Sequence, residues 1–457
     1  MEDAFQLPIA FARRMQDQLG QAAFSKFEDA LIQKPITSVR LNPQKLSRVP
    51  FRGATPIPWH PKGYFLEKRP EFVFDPLFHA GAYYVQEASS MLVNQFFPKA
   101  EPMRILDLCA APGGKSTLIS QVMPPGSLLI SNEVIRSRAM VLAENVTRWG
   151  DPQVLVTQSD PKAFASLGPV FDLILVDAPC SGEGLFRKDP ASRNQWSTEE
   201  VQTCAARQKR ILSDVLPSLK HGGWLIYSTC TYAEAENEAI IRWLIESFPL
   251  RPDPVAGLEE FSATASEIAG EKHAGWRCMP HLFKGEGFFI SRLRKVGSTN
   301  LDKEEPTFKK HKKKSYKPKI TPAAQAFLSS YVKESYWEHC SIRGDYLVYR
   351  PHYKEWEGLP EGLKMVKGEM LLGKVRPKGL TPFHDLALSS LLVENTSKLE
   401  LDLNEALSFL RKQTIKAHVA ESGWKLATYE GAALGWIKIA GGKIKNHYPM
   451  NWRIRKH

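Results

Sequence analysis

One stretch of the chain, from Ile105 to Cys230, alternates short apolar runs with longer segments of helical periodicity. This alternation is typical of a doubly wound parallel sheet with helices on both faces. A long helix is predicted over about 198–219, and Gly222 and Gly223 are predicted to end it. The predicted strands lie at 104–108, 127–131, 153–157, 171–176 and 224–227. We therefore expect an α/β fold whose ligands bind at the carboxyl ends of these strands.

Composition limits the class of protein. The chain has 457 residues, 43% of them hydrophobic and 24% charged, with a mean hydropathy of -0.30, which indicates folded globular domains. Residues 1–20 lack the apolar core of a secretory signal, and no run is long and apolar enough to cross a bilayer. We expect a cytoplasmic monomer without a membrane partner. Six cysteines without a Cys-x-x-Cys pair argue against disulfides and against a metal site.

Positive charge is concentrated in two segments of a chain whose formal net charge is +12. Residues 301–320 hold eight lysines against three acids, and residues 431–457 hold six lysines and arginines and no acid. Such runs are either solvated faces or phosphate-binding surfaces, and charge alone does not decide between them. The first segment has no apolar periodicity, so we predict a Lys-rich linker over 297–320.

A glycine-bearing turn, residues 107–115 (DLCAAPGGK), follows the first predicted strand. A P-loop would need glycine where Cys109 stands, and the three glycines of a dinucleotide-binding fold are absent. Glu133 after the second strand fits a ribose diol and Asp160 after the third fits an adenine amino group, unless both carboxylates are simply solvated. S-adenosylmethionine fits best. The predicted cofactor-binding residues are Cys109, Ala110, Ala111, Pro112, Gly113, Gly114, Lys115, Glu133, Asp160 and Asp177.

Two further cysteines, Cys180 and Cys230, each follow an apolar strand-like run. A cysteine alone is more often a small buried hydrophobe than a nucleophile. Two at strand ends beside a cofactor turn suggest thiol chemistry instead. Carbon 5 of cytosine is too electron-poor to attack a methyl donor, but a thiolate that adds to carbon 6 makes the ring an enamine whose carbon 5 can attack. A second thiol would then help to undo the adduct.

Several segments resemble motifs of the NOL/NOP2/Sun family of RNA cytosine-5 methyltransferases. The segments 177–182 (DAPCSG), 228–231 (STCT) and 110–115 (AAPGGK) resemble its cysteine and cofactor motifs, and the resemblance extends over 83–294. The tail resembles the PUA-like end of the bacterial ribosomal branch of this family. The resemblance implies an S-adenosylmethionine-dependent enzyme that methylates small-subunit (16S) ribosomal RNA. A transfer RNA methyltransferase and a non-catalytic ribosome assembly factor are the alternatives.

The resemblance also implies a role for each site residue. Cys230 adds to carbon 6 of the cytosine, Cys180 assists product release, and Asp177 hydrogen-bonds ring nitrogen 3. Two assignments stay open, because Asp177 is otherwise an N-cap of the following turn and Lys115 either orients the site or caps the glycine turn.

The expected architecture is a Rossmann-like methyltransferase core with RNA-binding extensions at both ends. Carbon 6 of a paired cytosine is hidden between stacked neighbours, so the target base must be unpaired or flipped out. The basic clusters at 309–319 and 453–456 would hold phosphates of the ribosomal RNA. The predicted domains are an N-terminal helical extension (1–70), the methyltransferase domain (71–296), the linker (297–320), a small α/β subdomain (321–385) and a PUA-like RNA-binding domain (386–457). We also predict one strand near 38–41 in the first domain, a strand at 346–349 in the subdomain and a small antiparallel sheet in the last domain.

Overall fold

A computed structural model describes residues 6–98, 101–297, 320–351, 362–376, 379–415 and 421–456 of the chain. The predicted linker, 297–320, lies outside the described residues except for its first and last residue. The basic cluster at 309–319 lies wholly outside them.

The first part of the chain forms helices and a small antiparallel sheet. Its elements are α1 (Ile9–Leu19), α2 (Gln21–Ile32), β1 (Thr37–Leu41), β2 (Thr55–Pro56), β3 (Gly63–Leu66), α3 (Pro76–His79), β4 (Tyr83–Val85) and α4 (Val93–Phe96). The sheet order is β2-β3-β1-β4. The strand predicted near 38–41 is confirmed as β1, and the sequence did not predict the other three short strands of this sheet. Because β4 pairs with β1, this module extends beyond residue 70.

The central unit is a ten-stranded sheet. Its first strands and helices are β5 (Arg104–Asp107), α5 (Gly114–Val122), β6 (Leu128–Asn132), α6 (Arg136–Trp149), β7 (Val154–Thr157), α7 (Pro161–Ala165), β8 (Phe171–Asp177), α8 (Pro190–Gln195), α9 (Thr198–Val215), β9 (Leu219–Thr229), α10 (Glu238–Ser247), β10 (Leu250–Pro252), β11 (Thr264–Ile268), β12 (Glu271–Cys278) and β13 (Phe288–Lys295). Five parallel strands lie in the order β9-β8-β5-β6-β7. The strand order reverses between β5 and β8, which confirms the predicted doubly wound α/β fold.

Burial on both faces explains why the parallel strands are continuous apolar runs. Leu173 and Ile174 are adjacent in β8 and belong to two different hydrophobic clusters. Because successive side chains of a strand point to opposite faces, each cluster covers one face of the sheet. All five strands predicted in this region are confirmed to within a few residues, apart from the start of β9.

The start of β9 corrects the prediction for Gly222 and Gly223. Helix α9 ends at Val215, and both glycines lie inside β9 instead of ending the helix. Gly222 has a left-handed φ of 70°, and a Cβ on Gly223 would lie 3.1 Å from the carbonyl oxygen of Asp172. The pairing of β8 with β9 shifts register here. The glycines therefore allow a bulge within the strand.

The region after the linker forms a second small sheet and adds one strand to the central one. Its elements are α11 (Pro322–Tyr331), β14 (Cys340–Arg343), β15 (Tyr346–Tyr349), β16 (Met365–Lys367), β17 (Met370–Arg376), β18 (Gly379–Pro382) and α12 (His384–Leu388). The strand predicted at 346–349 is confirmed as β15. Strand β16 pairs antiparallel with β7, so the predicted 321–385 subdomain completes the central sheet. The division into five domains stays a prediction.

The tail forms a four-stranded sheet. Its elements are β19 (Lys398–Glu400), α13 (Leu403–Leu410), β20 (Gly423–Tyr429), β21 (Ala432–Ala440) and β22 (Lys443–Asn446). The pairs β20–β21 and β21–β22 are antiparallel, as predicted, whereas β19 runs parallel to β20. Leu41 of β1 and Phe409 of α13 share one hydrophobic cluster, so the tail packs on the N-terminal module. Within the described ranges, no helix has the length and apolar character needed to cross a membrane.

Candidate active site

The residues predicted from the sequence collect at one edge of the central sheet. Asp107 and Asp177 end β5 and β8, while Glu133 and Cys230 directly follow β6 and β9. Parallel strands bring their carboxyl ends to the same edge. The reversal of strand order between β5 and β8 opens a crevice there, the usual ligand site of such sheets.

The two cysteines of the predicted site are in contact. The Sγ atoms of Cys180 and Cys230 lie 3.3 Å apart, and both thiols are free and partly exposed. The hydrogen bond to Cys230 raises the pKa of Cys180 well above its ordinary value, and burial is the next cause. Cys180 therefore keeps its proton and can donate it to the Cys230 sulfur. This arrangement suits one nucleophilic thiolate with one assisting thiol.

Lys115 and Asp177 form an ion pair at the same edge. Lys115 Nζ lies 2.8 Å from Asp177 Oδ2, and Asp177 Oδ1 accepts a hydrogen bond from the Ser228 hydroxyl at 2.8 Å. Burial lowers the pKa of Lys115, but the charges of Asp177 and Cys230 outweigh burial, and the net pKa is raised. Both oxygens of Asp177 thus bind neighbouring elements. These contacts of Asp177 favour a role in the site over a cap of the following turn. For Lys115, the ion pair favours a role in the site over a cap of the glycine turn.

Backbone contacts tie the loop after Cys180 to the loop after β9. The Cys230 carbonyl accepts a hydrogen bond from Gly184 N at 2.8 Å, and a Cβ on Gly184 would lie 2.8 Å from the same oxygen. The backbone N of Tyr232 donates to Glu183 Oε2 at 2.9 Å. Glu183 is fully buried. Glu183 and Gly184 were not among the residues predicted from the sequence, and the available signal was their place just after the Cys180 motif.

The glycine turn is held by its neighbours. Ala110 N donates to the Asn132 carbonyl at 2.8 Å, and the Pro112 carbonyl accepts from the Asn145 amide at 2.8 Å. Gly113 has a left-handed φ of 111°, which a larger residue adopts only with strain. Burial raises the pKa of the Cys109 thiol, which leaves that cysteine protonated. The turn thus brings the start of α5 to the carboxyl edge of the sheet, as a cofactor cradle requires.

The two predicted strand-end acids differ in their surroundings. Glu133 is buried; its Oε1 accepts from Ile135 N at 2.9 Å, and its Oε2 lies 3.3 Å from Arg138 Nη1. The neighbouring Val134 and Ile135 are 48% and 49% exposed, which is an apolar surface of the kind that an adenine ring covers. Asp160 is exposed and caps α7 by accepting from Lys162 N. Capping alone accounts for Asp160, and its contact with adenine stays a prediction.

Asp107, which was not among the predicted site residues, lies at the same edge of the sheet. Its Oδ2 accepts from the Ser116 hydroxyl at 2.7 Å, whereas Oδ1 is buried without a hydrogen-bond partner among the described residues. Burial raises the pKa of Asp107 to about 7. A buried oxygen without a donor is a place where a polar group of a ligand would bind. The position of Asp107 at the start of the glycine-bearing turn was the available signal.

The basic end of the tail, 453–456, is described up to Lys456. Lys456 Nζ lies 3.1 Å from Glu71 of the N-terminal module, Ile454 is buried, and Arg455 is exposed. The buried Ile454 and the Lys456–Glu71 pair therefore anchor the segment, while Arg455 is exposed. Contact of the segment with RNA stays a prediction. Among the residues that the structure covers, no group of three or more His, Cys, Asp or Glu side chains could hold a metal ion.

Three protein families match successive parts of the chain. Residues 7–88 match the N-terminal domain of 16S rRNA methyltransferase RsmF, and residues 95–294 match 16S rRNA methyltransferase RsmB/F. Residues 396–454 match the methyltransferase RsmF PUA domain.

Individual relatives are similar over nearly the whole chain. Ribosomal RNA small subunit methyltransferase F of Klebsiella pneumoniae is 30% identical over 98% of this chain and 97% of its own length. Its counterpart in Erwinia tasmaniensis is 32% identical over 97% and 96%. A solved structure of a methyltransferase homologue from Pyrococcus horikoshii covers 63% of this chain and 95% of its own, with 27% identity and a TM-score of 0.54. With the motifs and the fold, these similarities establish that the chain belongs to the RsmF family of 16S ribosomal RNA methyltransferases.

Proposed function

We propose that this protein methylates carbon 5 of an unpaired cytosine in small-subunit ribosomal RNA through a covalent bond between Cys230 and carbon 6. The observation that carries the proposal is the contact between the two thiols, 3.3 Å apart. A methyltransferase that acts on a nucleophilic nitrogen or oxygen needs neither thiol. A cytosine-5 methyltransferase uses both thiols, because one must first activate the ring by addition and the other must later help to break the adduct.

The proposed cofactor is S-adenosylmethionine, which supplies an electrophilic methyl group when bound. The residues at the carboxyl edge fit it. The buried Glu133 carboxylate suits a ribose, the exposed Val134 and Ile135 suit an adenine face, and the partnerless Oδ1 of Asp107 suits a polar group of the amino acid part. The backbone N–H groups of the glycine turn and of the first turn of α5 would bind the cofactor.

The chemistry of the ring follows from the positions of four side chains. The Cys230 thiolate adds to carbon 6, and electron density moves toward ring nitrogen 3, where the Asp177–Lys115 pair would place a shared proton. Carbon 5 then becomes the nucleophile. After methylation, a water molecule takes the proton of carbon 5, the carbon 5–carbon 6 double bond forms again, the bond to Cys230 breaks, and the proton at nitrogen 3 returns to the Asp177–Lys115 pair. The Cys180 thiol would stabilise the departing thiolate through the hydrogen bond described above.

The test is a denaturing gel of each cysteine variant with radiolabelled 16S ribosomal RNA and cofactor. Cys180→Ala should accumulate a slow-migrating protein–RNA adduct, because release is slowed while addition continues. Cys230→Ala should give no adduct and no methylation. Cys204→Ala is the matched control, since Cys204 is buried on α9 and bonds Glu200, and it should behave like the unmodified protein.

An adduct with Cys230→Ala would reverse the two roles, and no adduct with either variant would refute covalent catalysis. Bisulfite sequencing of total RNA with and without the protein reports the modified position. A modified nucleotide other than cytosine, or a target in transfer RNA only, would overturn the proposed substrate.

A further inference from the structure

A buried carboxylate, Glu236, joins the two cysteine loops. It lies seven residues beyond the end of β9 and is fully buried. Its Oε2 accepts hydrogen bonds from Ser181 N at 3.0 Å and from Gln208 Nε2 at 2.8 Å, and its Oε1 accepts from the Ser181 hydroxyl. Glu236 thus receives three donors, and two of them come from the residue directly after Cys180.

The same network holds the residue before Cys180 and reaches the residue after Cys230. Gln208, a fully buried residue of α9, also donates its Nε2 to the Pro179 carbonyl at 3.1 Å. The Ser181 hydroxyl lies 3.0 Å from Thr231 Oγ1. Pro179 and Ser181 are therefore fixed on both sides of Cys180, and the neighbour of Cys230 is linked to the same cluster.

The backbone of Glu236 is fixed by a hydrogen bond, and its carboxylate has no cationic partner among the described residues. Its carbonyl accepts from the Tyr227 hydroxyl at 2.7 Å, and no described Lys, Arg or His forms an ion pair with its carboxylate. A buried charge without a partner cation is costly for folding. An amide in its place would carry one acceptor oxygen and would turn an NH2 group toward the donors of Ser181 or Gln208. The cluster therefore specifies a carboxylate at this position.

We propose that Glu236 is a positioning residue of the active site, which holds the backbone around Cys180 so that its thiol stays in contact with Cys230. This role rests on the proposed covalent function only for its catalytic meaning, since the contact exists without RNA. The negative charge has a second effect. It disfavours a thiolate at Cys180 and so contributes to the raised pKa of that thiol. Loss of this charge alone would therefore make Cys180 more reactive, so slower oxidation of a Glu236 variant reports lost placement of the thiol.

The first test measures thiol proximity without RNA or cofactor. Diamide removes one hydrogen from each of two neighbouring thiols, so that a disulfide forms and the diazene becomes a hydrazine. Mass spectrometry of the Cys180–Cys230 cross-linked peptide gives the rate. Glu236→Gln should form this disulfide about tenfold more slowly than the unmodified protein, since close placement governs the rate. A disulfide that forms at the unmodified rate in Glu236→Gln, or no disulfide in the unmodified protein, would overturn the proposal.

Two further variants separate positioning from loss of stability. Glu238→Gln removes a buried carboxylate two residues away that bonds Ser266 and Arg277, and only Arg277 reaches the Cys230 loop, at the Tyr232 carbonyl. This variant should keep the rate of the unmodified protein. Ser181→Ala removes one donor of the cluster from a partly exposed loop and should slow the reaction by a smaller factor. If Glu236→Gln does not fold, Ser181→Ala serves as the test. An unchanged rate of disulfide formation in Ser181→Ala would then refute the positioning role of Glu236.

The second test uses the RNA adduct. Glu236→Gln should accumulate the adduct as Cys180→Ala does, and the double variant should be no worse than Cys180→Ala alone, because both changes remove one function. A general structural defect would lower addition and release together. If Cys180→Ala itself gives no adduct, the covalent function fails, while the disulfide rate still decides the role of Glu236.

Discussion

The loop after β8 and the loop after β9 each carry one cysteine in a similar sequence context, yet their surroundings differ. Cys180 lies between Ser181, which is held by the acid Glu236, and Pro179, which is held by Gln208, and its thiol stays protonated. Cys230 is held through its own carbonyl by Gly184 and lies near the ammonium group of Lys115, whose pKa it helps to raise. The difference teaches that two chemically identical side chains can be prepared for the different roles proposed above by a carboxylate beside one and a cation beside the other.

The largest expected effect comes from removal of the cation near Cys230. Lys115→Met should lower the single-turnover rate of methyl transfer by about 10²–10³-fold, because Asp177 loses its partner and the developing charge on the ring loses its stabilisation. Lys162→Met is the control, since Lys162 is exposed on α7. If rapid-quench measurements show that Lys115→Met lowers the rate of methyl transfer by less than about fivefold, the cation does not distinguish the Cys230 loop from the Cys180 loop.

A steric change in the Cys230 loop should have the next largest effect. In Gly184→Ala the new Cβ would lie 2.8 Å from the Cys230 carbonyl oxygen and 3.1 Å from that of Gly287. The Cys230 backbone must shift, and we expect methyl transfer to fall by about 10²-fold. Gly182→Ala is the matched control, because its Cβ meets only the Leu185 side chain at 3.5 Å, although its left-handed φ costs stability. Equal rates of methyl transfer in Gly184→Ala and Gly182→Ala would contradict the expected steric effect on the Cys230 backbone.

A change that leaves both loops intact should act on cofactor affinity alone. Glu133→Ala should weaken S-adenosylmethionine binding by about 1–3 kcal/mol, because a buried ribose would lose its acceptor. Calorimetry measures this directly. Glu144→Ala, which removes a half-buried carboxylate that pairs with Arg148 on α6, should bind the cofactor normally. Unmodified affinity in Glu133→Ala would place the ribose elsewhere.

The smallest expected effect concerns the proton of Cys180. The hydrogen bond to Cys230 is the main cause of the raised pKa of Cys180, so Cys230→Ala should lower that pKa and increase the thiolate fraction at pH 8. We expect alkylation of Cys180 by iodoacetamide to accelerate about tenfold, which corresponds to one pKa unit. Burial raises the pKa of Cys204 to about 12, and its alkylation should not change. Slower alkylation of Cys180 in the variant would refute the assignment of the proton.

The central sheet and the cysteine motifs were predictable because their signals are local. A strand such as β8 is covered on both faces, so every residue from Leu173 to Val176 is apolar and the pattern is visible in the sequence. The strand-end polar residues could be placed at one edge by the same logic.

Features that depend on distant contacts were not predictable. Glu236 stands in the charged segment Glu234-Ala235-Glu236, which is typical of an exposed turn, and only packing against α9 buries it. The short strand β16 has three residues and no periodic pattern. Gly222 and Gly223 mark a break in either a helix or a strand, and only the pairing with β8 decides which.

The pairing of β16 with β7 affects how the RNA-binding part of the chain can be studied. Lys364 N donates to the hydroxyl of Ser159, 205 residues earlier, at 2.9 Å, so the last parallel strand is covered by a distant segment. An uncovered strand exposes a row of N–H and C=O groups that other molecules can pair with. A chain cut after Arg294 would present β7 in that form and should aggregate. Neutralising substitutions at Arg455 and Lys456 in the full-length chain are therefore the sound way to measure how salt weakens RNA binding.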